Sequence, residues 1–260
     1  MTARSVLVTG GAKRVGAAIA SHLAGRGWRV AVHFHNDPDE AREFAKSIGG
    51  ESVQADLSDP AVAESLPVRV AQAFGAPLDA VVNSASVFHY NEASNFTIED
   101  WNRDQTVNLL SPVLIARALA AQLPEGREGA VVNILDQKLW NLNADFFSYT
   151  LSKIGLEGAT RMLARALAPK VRVNGLAPGL ILPSGGQSEE EFKAVASKYN
   201  LLKRPIALGD IAAGVAFLLE TGSIAGHTLL VDNGQHMVAS DHDIMFRTRG
   251  TKRPDTGREG

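Results

Sequence analysis

Ser5-Val6-Leu7-Val8-Thr9 followed by Gly10-Gly11-Ala12-Lys13-Arg14-Val15-Gly16 is the stretch whose reading decides the fold. A β-branched apolar run reads as a strand. It passes directly into a glycine turn and then into VGAAIASHLAGRG, an apolar stretch with helical character. A strand, a tight turn and a helix N-terminus together make an anion site, because backbone N–H groups and the helix dipole face the same point. Glycine lets the backbone turn and approach a ligand closely. The turn opens the chain and begins a βαβ unit, so a phosphate-binding role is expected for Gly10, Lys13, Arg14, Val15 and Gly16.

The rest of the chain repeats that alternation. Strands are predicted over 5–9, 29–34, 51–55, 79–82, 129–135, 171–175 and 228–231, with helices near 15–25, 38–48, 59–74, 98–123, 149–168 and 209–219. The strands are continuous apolar runs, such as AVVN and AVVNIL, as expected when helices cover both sheet faces. The pattern therefore predicts one α/β domain over 1–238, a doubly wound parallel sheet of seven strands, with ligands at the carboxyl ends of the strands. The segment 178–205 interrupts the rhythm with Gly185-Gly186 and the helical piece SEEEFKAVASKY, and is expected to be a substrate-side lid. The tail, 239–260, is polar and is expected to be mobile.

Composition narrows the function further. The 260 residues are 45% hydrophobic and 21% charged, with a formal net charge of -2, which gives no basic surface for nucleic acid. The absence of cysteine excludes disulfides, zinc–thiolate sites and thiol nucleophiles. No leader or membrane-length apolar run is apparent, so a soluble cytoplasmic protein is expected. His33 and His35 lie on one strand face, but no third ligand stands at metal spacing; a structural or cofactor-edge role is expected, and no metal.

Arg14 places a guanidinium in the phosphate turn, which suits an additional phosphate. The second strand ends His33-Phe34-His35-Asn36, without the acid that would accept a 2′-hydroxyl, although Asp37 is close by. NADPH is the cofactor this favours. Tyr149 and Lys153, four apart, share a helix face. A neighbouring ammonium would favour the phenolate and make Tyr149 a usable acid. Asp136 ends the strand thirteen residues before Tyr149, at the same sheet edge, and Asn83-Ser84-Ala85-Ser86 follows another strand there as a lining for a cofactor channel.

Over about residues 4–238 the sequence resembles the short-chain dehydrogenase/reductases, a Rossmann-fold superfamily. The matching landmarks are Thr9-Gly10 to Gly16, Ala55-Asp56-Leu57-Ser58, Asn83 to Ser86, Asn108, Tyr149-x-x-x-Lys153, Val173-Asn174-Gly175-x-x-Pro178-Gly179 and Val231-Asp232-Asn233-Gly234. Within it the chain is most similar to pteridine reductases, including dihydromonapterin reductases, through Arg14, His33-Phe34-His35, Phe88 and an Asp136 where most relatives carry Ser. The resemblance implies Asp136, Tyr149, Lys153 and Asn108 as the catalytic set. It implies cofactor contacts from Gly10, Lys13, Arg14, Val15, Gly16, His35, Asn36, Asp56, Leu57, Asn83, Ser84, Ala85, Lys153, Pro178 and Gly179, with Lys153 on the nicotinamide ribose and Asp56 and Leu57 beside the adenine. Arg14, Ser86, Phe88, Asp136 and Tyr149 are implied to hold the substrate, with Phe88 stacked on a pterin, and the assembly is implied to be a homotetramer. Asn36-Asp37, Ser84 and Asn233 depart from the residues usual in that subfamily.

The expected reaction is NADPH-dependent reduction of a dihydropterin to a tetrahydropterin. Two alternatives stand beside it: a carbonyl or imine reductase of another small molecule, and a catalytically idle nucleotide-binding regulatory protein, which the joint presence of Tyr149 and Lys153 disfavours. Trp101, Trp140, Phe146 and Phe147 are candidates for either a substrate mouth or core packing, and Glu189-Glu190-Glu191 for a solvated helix start.

Overall fold

The computed structural model describes residues 3–182 and 188–247. Seven parallel strands form one sheet in the order β3-β2-β1-β4-β5-β6-β7. They are β1 (Ser5–Thr9), β2 (Arg29–Phe34), β3 (Glu51–Gln54), β4 (Ala80–Asn83), β5 (Gly129–Ile134), β6 (Val171–Pro178) and β7 (Thr228–Val231). The helices are α1 (Arg14–Gly25), α2 (Pro38–Ser47), α3 (Pro60–Phe74), α4 (Ile98–Gln105), α5 (Ser111–Gln122), α6 (Phe147–Ala166), α7 (Glu189–Lys198) and α8 (Leu208–Glu220). None of the described helices is long and apolar enough to cross a membrane.

Alternation along β1 shows how the sheet is covered. Val6 and Val8 face one layer, packed with Ile19 and Leu23 of α1 and Val215 and Leu218 of α8. Leu7 faces the other, packed with Leu66 and Val70 of α3 and Ile115 and Leu119 of α5. Each such side chain, when fully buried, contributes roughly 1.5–3 kcal/mol. Strand order reverses at the β1/β4 pair, where Thr9 stands opposite Asn83, and this opens a crevice at the carboxyl ends.

Two elements differ from expectation. The helix expected over 98–123 is interrupted by a π-helical turn, Thr106–Leu110. Its extra residue accompanies an inward Asn108, fully buried and hydrogen-bonded to Val87 of the loop after β4 and to Ser152 of α6. The tail is ordered further than its polarity suggested: Ile244 is buried, and Phe246 stacks on Phe146 with ring centroids 5.9 Å apart. Gly185-Gly186 and the tail beyond Arg247 lie outside the described residues.

Candidate active site

The turn between β1 and α1 tolerates only glycine at two positions. Gly10 has φ +61°, and a Cβ there would lie 3.0 Å from Ala85 Cα. At Gly16 a Cβ would stand 2.1 Å from the Gly10 carbonyl oxygen. His33 fastens the turn from beneath. Its Nδ1 accepts from Gly10 N–H at 3.0 Å, so the proton sits on Nε2, which donates to the Ala55 carbonyl at 3.1 Å. Burial lowers the His33 pKa to about 4, which keeps the ring neutral. His33 thus has a structural role, and it also lines the smaller of the two cavities beside the turn. Arg14 adopts the left-handed region at φ 52°, a conformation costing on the order of 1–3 kcal/mol in a non-glycine residue.

Two cavities flank this turn and share Ser86. The smaller, about 360 Å³, lies between the ends of β1, β2 and β4; it brings together Gly10, His35, Asp56, Leu57 and Ala85, and also takes in Arg103. Phe34 does not face it, being buried in the sheet, so the residue after β2 that reaches the cavity is His35. Asp37 does not line it either: Lys13 Nζ bonds Asp37 Oδ2 at 2.7 Å and Glu40 Oε2 at 2.8 Å, which raises the lysine pKa through those hydrogen bonds. Thr9 Oγ1 accepts from the N–H groups of Ser84 and Ala85, both at 3.0 Å, and so binds the loop after β4 to the end of β1.

The larger cavity, about 470 Å³, is lined by Arg14, Val15, Ser86, Phe88, Asp136, Tyr149 and Gly179 among others. Tyr149 reaches it from the first turn of α6. That helix starts after Phe146, at φ 56°, and has no capping side chain of its own. Asn91 serves instead: its carbonyl accepts from Phe147 N–H and its Oδ1 from Ser148 N–H, both at 3.0 Å. Ser148 Oγ in turn donates to the buried Asp104.

Asp136 has both oxygens engaged. Oδ1 accepts from Lys138 N–H at 2.8 Å and caps a short 3₁₀ turn; Oδ2 accepts from the Tyr149 hydroxyl at 2.9 Å. Burial raises the Asp136 pKa, against the opposing pull of the Lys138 amide hydrogen bond. The expectation that the lysine would make Tyr149 more acidic is corrected. Burial and then the Asp136 charge hold the phenol well above its usual value. Lys153, itself buried, donates to the Ile134 carbonyl at 2.8 Å, and desolvation lowers its pKa to about 8. Its Nζ lies 5.8 Å from the Tyr149 ring centroid. Phe88 packs one face on Phe146, at 4.0 Å and 14°, yet stays 41% exposed and lines the cavity.

Several of the expected residues do not line these cavities. Asn83 is buried beneath the loop, donating to Asn133 Oδ1 at 2.8 Å, and lines neither cavity. Asn108 clamps the Ser86–Val87 backbone: Oδ1 accepts from Val87 N–H at 2.9 Å and Nδ2 donates to the Val87 carbonyl at 3.0 Å. It lines neither cavity. Lys13, Gly16, Asn36, Ser84, Lys153 and Pro178 line neither cavity. Of the aromatic candidates, Phe146 supports the pocket under Phe88, Trp101 and Phe147 cluster with Phe96, and Trp140 is 40% exposed without lining a cavity. Sequence reasoning missed Gln137, Lys138, Gln235, Asp243 and Ile244, all of which line the larger cavity. The beginning of the expected lid, Gly179 to Leu182, does line it.

Comparison with known proteins agrees with this architecture. Residues 10–236 match the family model described as enoyl-(acyl carrier protein) reductase. A chloroplastic NADPH-dependent aldehyde reductase 2 of Arabidopsis thaliana is 32% identical over 92% of this chain and 93% of that protein. A crystal structure of FolM alternative dihydrofolate reductase 1 from Brucella suis, in complex with NADP, is 41% identical, covers 91% of this chain and 96% of that one, and superposes with a TM-score of 0.86. The Brucella canis FolM structure, also complexed with NADP, is 39% identical over 98% and 97% of the two chains, with a TM-score of 0.85. The chain belongs to the short-chain dehydrogenase/reductase superfamily and is an oxidoreductase.

Proposed function

We propose that this protein is an NADPH-dependent reductase of pterin-type substrates, converting a dihydropterin to a tetrahydropterin. The observation that carries the reading is the buried Tyr149–Asp136 hydrogen bond, at 2.9 Å, opening on a cavity that Phe88 and Arg14 also line. The likeness to the two FolM structures supports it.

The Gly10–Gly16 cradle and the smaller cavity suit a dinucleotide: a turn that a Cβ would fill accepts a pyrophosphate, and His35, Asp56 and Leu57 would border the adenosine end. Arg14 would meet the cofactor's phosphates, and Lys153 the nicotinamide ribose. When bound, NADPH supplies the hydride that adds to an imine carbon of the substrate. The chain's own residues orient and protonate. Phe88 offers a ring to a flat heterocycle. Burial raises the proton affinity of Tyr149 and Asp136, and this hydrogen-bonded pair would deliver the proton to the nitrogen of the reduced C=N bond. Lys153 holds a positive charge beneath them up to a pH of about 8.

A second reading, an NADPH-dependent carbonyl reductase, is favoured by the identity to the aldehyde reductase. NADPH oxidation on adding dihydropterins or dihydrofolate, against aldehydes and ketones, separates the two. A cytoplasmic homotetramer completes the reading.

A further inference from the structure

The smaller cavity has a wall from α4 that the phosphate turn does not account for. Arg103, in the last turn of α4, and Val107, four residues on in the π-helical turn, both line it. Residues four apart share a helix face, so one face of this segment borders the cavity. Leu57, Ala85 and Val87 add apolar wall, and the other ionisable groups that line it are His33, His35 and Asp56. Arg103 therefore brings a permanent positive charge to a largely apolar cleft.

The guanidinium is held at one end. Nη2 donates to Asp100 Oδ1 at 2.6 Å, and Oδ2 of that aspartate accepts from Thr97 Oγ1 at 2.9 Å in the capping box that starts α4. Among the described residues Asp100 is the one hydrogen-bond partner of the Arg103 side chain, and the enclosed Nε has none. Arginine carries five N–H donors in a planar fork, so donors remain for a ligand. Asp56 is fixed on the same cavity, with Oδ1 accepting from Ser58 N–H at 2.8 Å and from Ser58 Oγ at 2.7 Å. A cationic donor and a carboxylate acceptor beside apolar walls suit a flat base that carries an amino group next to a ring nitrogen. They suit a phosphate dianion less, because Asp100 already shares the guanidinium and Asp56 would repel the ligand.

We infer that Arg103 is a further cofactor-specificity residue, which donates to ring nitrogen N1 of the adenine while Asp56 accepts from the adjacent amino group. This rests on the placing of the adenosine end in the smaller cavity, and not on the pterin substrate. The two arginines then have separate tasks: Arg14 meets phosphate, and Arg103 reads the base.

Fluorescence titration with reduced coenzymes tests this without turnover. Arg103→Met is expected to weaken NADPH and NADH by the same factor, at least about tenfold, the scale of a hydrogen bond from a charged donor. Reduced nicotinamide hypoxanthine dinucleotide phosphate, whose N1 carries a proton and cannot accept, should weaken by less than about threefold. The wild-type preference for adenine over hypoxanthine should shrink accordingly. A loss confined to NADPH would make Arg103 a 2′-phosphate contact and overturn the inference. Equal loss of the adenine and hypoxanthine coenzymes, or loss of neither, would also overturn it. Arg103→Ala repeats the comparison if methionine disturbs the local packing. Asp56→Asn separates two kinds of failure. Weaker adenine coenzymes in Asp56→Asn, with no change in Arg103→Met, would overturn the role of Arg103 alone. No change in either variant would overturn the placing of the adenosine end as well.

Discussion

The Tyr149 hydroxyl donates to Asp136 Oδ2 at 2.9 Å, joining the first turn of α6 to the end of β5 across thirteen residues of sequence. Both groups are buried, which raises the proton affinity of each; Asp136 raises that of Tyr149 further, while the hydrogen bond from Tyr149 opposes the rise at Asp136. Tyr149→Phe and Asp136→Ala are each expected to lower kcat on dihydropterins by a factor of about 10² or more, the scale of positioned acid–base catalysis. The double variant should be little worse than either single one, because parts of one catalytic unit are not additive. Multiplicative losses in steady-state assays would show that the two residues act independently.

Lys153 gives the reaction its alkaline limit. Desolvation lowers its pKa to about 8 from the ordinary 10.5, with Asp136 opposing. The charged form therefore dominates below pH 8 and is lost above it. In the free enzyme kcat/KM is expected to fall as pH rises through about 8. Lys153→Arg, whose charge persists, should be less active but should shift that fall upward. A wild-type profile flat to about pH 10 would contradict the assignment.

Cofactor choice depends on Arg14 and on the end of β2. From the end of β2 it is His35 that lines the smaller cavity, while Asp37 and Glu40 are paired with Lys13. NADPH should bind at least about tenfold more tightly than NADH, or roughly 1.4 kcal/mol. Arg14→Ala should cost more NADPH than NADH affinity. Titration by nicotinamide fluorescence measures both, and equal affinities in wild type would refute the account.

Phe88 is expected to carry the flat substrate on the ring area left free by Phe146. Phe88→Ala should raise KM for dihydropterins and lower kcat/KM by about 1–3 kcal/mol, the range for stacking of a heterocyclic base on an aromatic side chain. An unchanged KM would reduce Phe88 to a packing residue on Phe146.

His33 couples the phosphate turn to pH. Its folded pKa is lowered to about 4 from 6.5, so the unfolded chain takes up a proton first as pH falls. Stability from this group is full above about pH 6.5 and declines toward pH 4, by at most about 3 kcal/mol. His33→Gln should be less stable at pH 7 and show a shallower loss between those values in urea unfolding. Parallel pH slopes for the two proteins would exclude this role.

How much of this was legible in the sequence follows from the range of the contacts. The β1–α1 turn is local, so its glycines and helix start are visible in twelve consecutive residues. The Tyr149 and Lys153 spacing is equally local, and strand β5 points Asp136 toward them. Tyr149's proton affinity was misjudged because spacing reports the nearby ammonium but not burial, and burial dominates. Asn91 capping α6 and the Lys138–Asp243 pair, 105 residues apart, leave no local pattern. The tail's polarity concealed Ile244, which is buried, and Phe246, which packs on Tyr90. Asn108 was visible as a landmark, but its clamp on Val87 depends on a π turn that helical periodicity does not reveal.

The most direct test of the central claim compares wild type with Asp136→Ser on both substrate classes, following NADPH oxidation at steady state. Wild type should reduce dihydropterins with higher kcat/KM than simple aldehydes and ketones. Asp136→Ser should keep its fold and NADPH affinity but lose dihydropterin turnover relative to carbonyl reduction, because a serine cannot sustain the carboxyl–phenol proton pair. Wild-type dihydropterin activity in Asp136→Ser would contradict the account and leave Asp136 as the cap of a turn.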